Sequence, residues 1–154
     1  MSKYVRGFFS VITPAKGFTP TLRGLVHLEG IGDMLLHENA WAGTKGQSRR
    51  LEGFQLELSP SVEKLGMEYM AHLEGTGDTA WIAAGSFCGT RGQSRRLEGF
   101  AIRLTGDEKD AFDVFYQAHL EGAGDSAVAS NGSFCGTRGQ SRRCESIKIW
   151  VVAK

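Results

Sequence analysis

The sequence predicts an all-β protein with pseudo-threefold symmetry, and three observations lead to that prediction. The phrase His-Leu-Glu-Gly-x-Gly-Asp occurs three times, at residues 27–33, 72–78 and 119–125. A second phrase, Gly-Thr-x-Gly-Gln-Ser-Arg-Arg, follows each copy, at residues 43–50, 89–96 and 136–143. The chain also holds 21 glycines against 3 prolines, which is typical of short strands joined by tight turns. The fixed period, with histidines 45 and 47 residues apart, indicates one supersecondary unit used repeatedly.

The three units are expected to form one domain, residues 1–154. A unit of ~46 residues is marginal on its own, whereas the whole chain is long enough to bury one common core. The units span about residues 22–59, 66–105 and 113–152 and are called the first, second and third unit below. A β-prism, in which each unit supplies its own sheet, is the preferred architecture, and a β-trefoil is the runner-up.

The chain begins with an element that breaks the threefold count. Residues 4–14 predict an extra strand, because residues 7–14 align with residues 53–60 of the first unit. The chain therefore has four copies of this strand and three of every other element. Such a surplus strand is expected either to complete a sheet or to pair with the edge of another subunit.

Each unit then predicts two long strands. In the strand that leads into the histidine, Tyr69, Ala71 and Leu73 share one face. Met70, His72 and Glu74 share the other face. The strand after each Arg-Arg alternates in the same way. Its core-facing residues are Phe54, Leu56 and Leu58, then Phe100, Ile102 and Leu104, then Ile147, Ile149 and Val151.

Shorter elements complete the unit. Trp81-Ile82 and Val128-Ala129 predict a third strand. Trp41, Phe87 and Phe134 predict a fourth, just before each Gly-Thr turn. The linker at residues 107–113 predicts a helical turn.

The composition disfavours several classes of function. A net charge of +1 gives no overall attraction to nucleic acid, and nearby acids offset the basic residues of the second phrase. No run of 18 apolar residues occurs, so a transmembrane helix is not expected. The first residues lack the apolar core of a signal peptide, which predicts a cytoplasmic location with only non-classical release. Cys88, Cys135 and Cys144 lie at small or apolar positions of the repeat, which predicts buried free thiols.

The second phrase has two interpretations. Its glutamine, serine and arginine side chains could reach ligand hydroxyls or carboxylates. Alternatively they are architectural, with Gln and Ser satisfying the turn and the arginines pairing with local acids. The architectural interpretation is preferred, because Glu52 alternates with Phe54 and Leu56 and so needs a partner on the core side. Glu98 and Glu145 occupy the same position.

The first phrase is the better candidate for ligand binding. His27 and Glu29 leave the strand on one face and Asp33 lies at the adjacent glycine turn, a polar cluster suited to sugar hydroxyls. The alternative is that His and Glu bond to the neighbouring unit and hold the threefold contact together. A metal site of three histidines and three aspartates is disfavoured, because no Cys/His pair with zinc spacing accompanies them.

These patterns predict a non-catalytic carbohydrate-binding protein with up to three equivalent shallow sites. Three identical sets of carboxylates do not provide the two different environments that a hydrolase needs, and no cofactor or metal is expected. Glycans are the expected partners. The alternative function is a self-assembling structural module that uses the repeat edges and the N-terminal strand. The candidate site residues are His27, Glu29, Gly30, Asp33, Gln47 and Arg49 in the first unit; His72, Glu74, Gly75, Asp78, Gln93 and Arg95 in the second; and His119, Glu121, Gly122, Asp125, Gln140 and Arg142 in the third.

At these residues the chain resembles the clostridial hydrophobic-tryptophan (ChW) repeat. The resemblance rests on Tyr69-Met-Ala-His72, Ala42-Gly-Thr-Lys-Gly-Gln-Ser48 and Arg96-Leu-Glu98, and it covers about residues 22–152. It implies an extracellular adhesion or polysaccharide-binding role. Where that family has its Gly-Trp pair, this chain has Gly-Asp, at residues 32–33, 77–78 and 124–125, which implies a polar ligand at the turn. A weaker likeness, carried by residues 96–102, is to jacalin-related lectins of the β-prism fold.

Overall fold

The computed structural model describes residues 18–154 together with the backbone of residues 5–6 and 9–12. Strands and one short 3₁₀ turn, Lys109–Ala111, account for its regular structure. In chain order the strands are β1 Val5–Arg6, β2 Phe9–Ile12, β3 Thr21–Leu28, β4 Gly32–His37, β5 Ala42–Gly43, β6 Leu51–Ser59, β7 Ser61–Val62, β8 Gly66–Leu73, β9 Gly77–Asp78, β10 Ile82–Ala83, β11 Cys88–Gly89, β12 Leu97–Thr105, β13 Phe112–Leu120, β14 Gly124–Asp125, β15 Ala129–Ser130, β16 Cys135–Gly136 and β17 Cys144–Ala153.

Each unit forms one antiparallel sheet around a pair of long strands. These pairs are β3 with β6, β8 with β12, and β13 with β17. Near the end of each pair the register shifts by one residue, so that His27 faces Gly53 while Leu28 faces Leu51. Glu52 is the extra residue of this β-bulge, and Glu98 and Glu145 occupy the same place in the other sheets.

Each of these three sheets includes a two-residue strand from another unit. The first sheet receives β11 from the second unit, and the second sheet receives β16 from the third. The third sheet receives β5 from the first unit, which closes the ring. This cyclic exchange confirms the all-β, pseudo-threefold prediction and gives a prism-like or trefoil-like arrangement.

The predicted inward faces meet in one hydrophobic core. Phe54, Phe100 and Tyr116 are fully buried, as is Tyr69. Their rings are in sequential contact, with centroids 5.1 Å apart for Phe54–Tyr69, 5.6 Å for Phe54–Phe100 and 5.4 Å for Phe100–Tyr116. Burying each such ring contributes about 2–3 kcal/mol, so the contact between units outweighs any single polar bond. Met70, predicted on the other face with His72, is outside this core cluster but is also buried.

The smaller predicted elements are present with shifted bounds. The third strands are β10 and β15, and each begins one residue later than predicted. The fourth strands are β5, β11 and β16, and each begins one residue after the aromatic residue that predicted it. The helical turn at 107–113 is the 3₁₀ turn. Within the predicted N-terminal strand, 4–14, the described backbone forms β1 and β2, and β2 pairs in parallel with β7. The remaining residues of that segment lie outside the described part of the chain.

Candidate functional site

The two repeated phrases meet at three junctions between units, which we call joints. In the first joint, the turn after β3 contacts the loop after β11; in the second, the turn after β8 contacts the loop after β16. In the closing joint, the turn after β13 contacts the loop after β5. Each joint therefore combines the first phrase of one unit with the second phrase of another.

A histidine–aspartate pair forms the first half of every joint. His27 Nδ1 lies 2.8 Å from Asp33 Oδ1, and the same pair in the other joints measures 2.7 Å. Because a carboxylate only accepts hydrogen bonds, Nδ1 carries the proton and donates it. The two residues face each other across the strands β3 and β4, which fixes their geometry.

The second half of the joint is a cation from the other unit. Arg91 donates two hydrogen bonds to Asp33, from Nε to Oδ1 at 3.2 Å and from Nη2 to Oδ2 at 3.1 Å. Arg138 donates two hydrogen bonds to Asp78 in the same way, both at 3.0 Å. In the closing joint Lys45 Nζ lies 3.1 Å from Asp125. The arginines are the variable residue of Gly-Thr-x-Gly, and paired guanidinium bonds make these contacts directional.

An aromatic ring lies beneath each of these cations. Arg91 lies 3.8 Å from the ring centre of Phe87, Arg138 lies 3.7 Å from that of Phe134, and Lys45 lies 3.7 Å from that of Trp41. The ring in turn packs against the neighbouring sheet. A side chain on Gly53 would collide with Phe87, which explains the glycine at that position.

The cations lower the pKa of the three aspartates. For Asp33 the hydrogen bonds from Arg91 and then His27 hold the pKa of the carboxyl below its ordinary value. The bond from Arg138 is the largest cause for the lowered pKa of Asp78. For Asp125 the bond from His119 is the largest cause of the lowered pKa, ahead of Lys45. The aspartates are therefore ionised at neutral pH.

A buried glutamate lies behind each aspartate. Glu52 is only 2 % exposed, and its Oε2 accepts a 2.7 Å bond from Arg50 Nε. Its other oxygen accepts a 3.3 Å bond from the backbone N–H of Gly92 in the second unit and lies 3.7 Å from His27 Nε2. Glu98 and Glu145 repeat these contacts. This confirms the prediction that one arginine of each Arg-Arg pair forms an ion pair with a buried glutamate.

The other arginine of each pair holds the glycine turn. Arg49 Nη1 donates to the backbone carbonyl of Glu29 at 3.1 Å, and the equivalent bonds of Arg95 and Arg142 measure 3.0 Å. Gly30 has φ 75° and lies directly against this guanidinium, so any side chain there would displace it. Arg50 also bonds the carboxylate of Glu29 at 2.9 Å.

The glutamines of the second phrase are differently placed. Gln47, Gln93 and Gln140 are exposed, and no hydrogen bond to their side chains is found within the described residues. Each precedes a serine in the left-handed region, with φ 55° at Ser48, Ser94 and Ser141. Non-glycine residues rarely adopt this conformation, so the loop is held in one shape. The expectation that Gln and Ser bond to the turn itself is not met by these contacts.

The closing joint differs from the other two in its cation, in its aromatic ring and in the residue that follows the ring. It has Lys45 in place of arginine, Trp41 in place of phenylalanine and Ala42 in place of cysteine. Ser146 occupies the position of Gly53 and Gly99, and its hydroxyl donates to the carbonyl of Ala42 at 3.0 Å. The threefold symmetry is therefore approximate, with two equal joints and one distinct one.

The cysteines lie under the joints and not in them. Cys88, Cys135 and Cys144 are buried free thiols, as predicted. Burial raises the pKa of Cys88 to about 11 and also raises the pKa of the other two thiols. None has the lowered pKa of a nucleophilic cysteine.

The structure brings the predicted site residues together, but across unit boundaries. Asp33 contacts Arg91 of the second unit, and Glu29 contacts Arg49 of its own. Gln93 follows Arg91 by two residues on the same loop, but no bond from its side chain to His27, Glu29 or Asp33 is found among the described residues. The cation at the variable position, Lys45, Arg91 or Arg138, was not among the predicted site residues. The signal was present, because that position is basic in all three copies. Among residues 18–154 and the described N-terminal backbone, no cluster of His, Cys, Asp and Glu has an arrangement that could hold a metal ion.

Comparison with known families agrees with this architecture. The fold and the joints define an all-β protein built from three internal repeats. The chain belongs to the Clostridial hydrophobic W (ChW) family, whose model matches residues 27–60, 72–106 and 119–153. Searches among curated proteins and among solved structures find no match. Within the described residues no helix is long and apolar enough to span a bilayer.

Proposed function

We propose that the protein is a non-catalytic carbohydrate-binding protein with one shallow site at each joint. The observation that supports this proposal is that exposed glutamines lie on the same loops as the cations that bind the half-exposed aspartates. Asp33 and Arg91 each have 44 % of their side chain exposed, so both remain accessible to a ligand. The three sites use Gln47, Gln93 and Gln140 with the adjoining joint residues.

The hydrogen-bonding capacity of a joint is only partly used. Asp33 accepts one bond from His27 and two from Arg91, out of about four that a carboxylate can accept. Arg91 uses two of its five N–H groups on that carboxylate, which leaves about three. The amide of Gln93 offers a further acceptor and two donors. Each joint thus has unused donors and acceptors on its aspartate, on its cation and on the glutamine two residues after that cation.

Sugar hydroxyls suit such an array, because each one both donates and accepts a hydrogen bond. The sites are shallow, so a single sugar is expected to bind weakly. Three sites on one molecule raise the apparent affinity for glycans with several copies of the sugar. The proposal is non-catalytic because Asp33 is paired with Arg91 and Glu52 is buried against Arg50, whereas glycoside hydrolysis needs two accessible carboxylates in different environments.

A glycan array followed by calorimetric titration tests this function. The triple variant Gln47→Ala, Gln93→Ala, Gln140→Ala should lose binding to the best neutral glycan and unfold at the wild-type temperature, because the three side chains are exposed and bond to no described residue. A matched control is Lys109→Ala, an exposed residue of the 3₁₀ turn beyond the end of β12 that lies opposite the joints, which should bind normally. No binding to any glycan on the array, or unchanged binding by the triple variant, would refute the proposal.

A second candidate function is self-assembly through a sheet edge. The edge strand β4 has six residues, whereas its equivalents β9 and β14 have two each. Leu35 on this strand is 71 % exposed. A long edge with an exposed apolar side chain can template pairing with another chain. If this candidate is correct, light scattering will show a dimer or larger species that becomes monomeric in Leu35→Lys; a monomeric wild type eliminates it.

A further inference from the structure

One cross-strand position distinguishes the third unit from the other two. In the first sheet Arg23 faces Glu57, and in the second sheet Glu68 faces Arg103. Both are ion pairs, at 3.0 Å and 2.7 Å respectively. In the third sheet the same position holds Phe115 facing Trp150. Their rings are stacked, with centroids 5.7 Å apart and planes 25° apart.

A third aromatic residue and a cation adjoin this stack. Lys148 precedes Trp150 by two residues on the same face of β17. Its Nζ lies 5.5 Å from the ring centre of Trp150 and 5.9 Å from that of Trp41, which β5 brings from the first unit. Among the described residues no carboxylate lies within ion-pair distance of Lys148. We call Trp41, Phe115, Lys148 and Trp150 the aromatic patch.

We propose that the aromatic patch is a fourth, distinct site that binds an anionic sugar, a pyranose ring bearing a carboxylate. The C–H face of a pyranose packs against aromatic rings, and the carboxylate pairs with Lys148. The ligand class rests on the proposed carbohydrate-binding function, whereas the location is on the third sheet and shares only Trp41 with the closing joint.

The charge of the patch argues for an anionic ligand over a second copy of this chain. A two-fold interface places the same patch on both sides, which brings two Lys148 side chains into one small contact. The nearest carboxylate on that face of β13, Asp113, is already bonded to Asn131 at 2.9 Å and lies 3.6 Å from Lys154. Self-association therefore leaves like charges uncompensated, while an acidic sugar supplies the missing counter-charge.

The chain itself supplies variants that are compatible with the fold. Phe115→Glu with Trp150→Arg installs the ion pair that the second sheet carries in the same register. Lys148→Gln installs the residue of the first sheet, Gln55, at the equivalent position. The first change removes the rings and the second removes only the charge, so the two contributions are separated.

Titration with oligogalacturonate, followed by tryptophan fluorescence and calorimetry, tests the proposal. Its fully methyl-esterified form is the neutral control. We expect wild-type protein to bind the acid form about tenfold more tightly than the ester, as the loss of one charge-assisted contact predicts. Each patch variant should weaken binding of the acid form by about tenfold or more. The glutamine triple variant should bind the acid form like wild type.

Several outcomes would overturn the proposal. These are absent binding, equal binding of acid and ester, binding lost in the glutamine variant but not in the patch variants, tighter binding of oligoglutamate than of oligogalacturonate, or a dimer that dissociates in Phe115→Glu/Trp150→Arg. Failure of the three-joint function has a different signature, because it leaves binding of neutral glycans unaffected by the glutamine changes.

Discussion

The three threonines of the second phrase each bury a side-chain hydroxyl that makes no hydrogen bond with the described residues. Thr44, Thr90 and Thr137 each place Oγ1 out of solvent without a hydrogen-bond partner among the described residues. Their backbone N–H groups do bond, each at 3.0 Å, to the carbonyl of the bulge glutamate. The backbone thus has a defined role in the joint, while the hydroxyl has none.

Replacing these threonines by valine should stabilise the protein. Valine keeps the branched shape and removes a polar group whose burial costs about 1 kcal/mol or more. The triple variant Thr44→Val, Thr90→Val, Thr137→Val is expected to melt at a higher temperature than wild type. Thermal unfolding followed by circular dichroism measures this. A lower melting temperature would show that the hydroxyl makes a stabilising bond.

The lowered pKa values of the joint aspartates predict a pH dependence. Asp33, Asp78 and Asp125 are ionised more readily in the folded state than in the unfolded chain, where the pKa is about 3.8. Their contribution is therefore fully present above about pH 4 and is lost as the pH falls through the lowered value. Since the side chains are 44 % exposed, each joint contributes about 0.5 kcal/mol.

The triple variant Asp33→Asn, Asp78→Asn, Asp125→Asn separates this contribution from other acids. It should be less stable than wild type at neutral pH, and the difference in the free energy of unfolding should shrink below about pH 4. Urea unfolding at a series of pH values measures the difference. A gap that stays constant with pH would contradict the assignment.

At the scale of the strand, the bulge residue makes the two arginines unequal. Arg50 bonds to buried Glu52, whereas Arg49 bonds only to a carbonyl. Arg50→Ala leaves a buried carboxylate without its cation, so we expect a loss of about 3 kcal/mol. Arg49→Ala is the matched control and should cost about 1 kcal/mol. Chemical unfolding compares them, and equal losses would show that Glu52 does not depend on Arg50.

The long strands could be predicted from the sequence because their alternation is strict. Phe54, Leu56 and Leu58 were placed correctly by period alone, whereas Glu52 is buried as the bulge residue, where the alternation breaks and all of Leu51 to Phe54 are buried. The bulge itself was not predicted, because a one-residue register shift leaves no compositional signal beyond Gly53. The burial of Met70 on its predicted face was not foreseen, because alternation within one strand does not reveal which elements cover that face.

The candidate site could be predicted only in part. The polar phrase from His27 to Asp33 was identified, yet its partner Arg91 comes from another unit, 58 residues away. Periodicity within a unit contains no information about which unit contacts which. The difference between the Phe115–Trp150 stack and the two ion pairs was likewise invisible until the registers were known.

At the scale of the whole molecule, the cation–aspartate contact of the closing joint is the weakest of the three joints. Lys45 makes a point contact with Asp125, where Arg91 and Arg138 make paired bonds. Lys45→Arg should therefore stabilise the fold by about 0.5 kcal/mol, which corresponds to ~1–2 °C in melting temperature. Arg91→Lys is the reciprocal control and should destabilise it. Opposite signs in calorimetry are expected, and two losses would show that Trp41 and Ser146 have adapted this joint to lysine.

We propose one carbohydrate site at each joint, and a count of bound ligands is the sharpest test of that proposal. Native mass spectrometry with the best neutral glycan should show three bound molecules for wild type. Two should remain in Gln47→Ala, one in Gln47→Ala/Gln93→Ala, and none in the triple variant. A maximum of one bound molecule, or a count that stays at three in the glutamine variants, would contradict the proposal of one site at each joint.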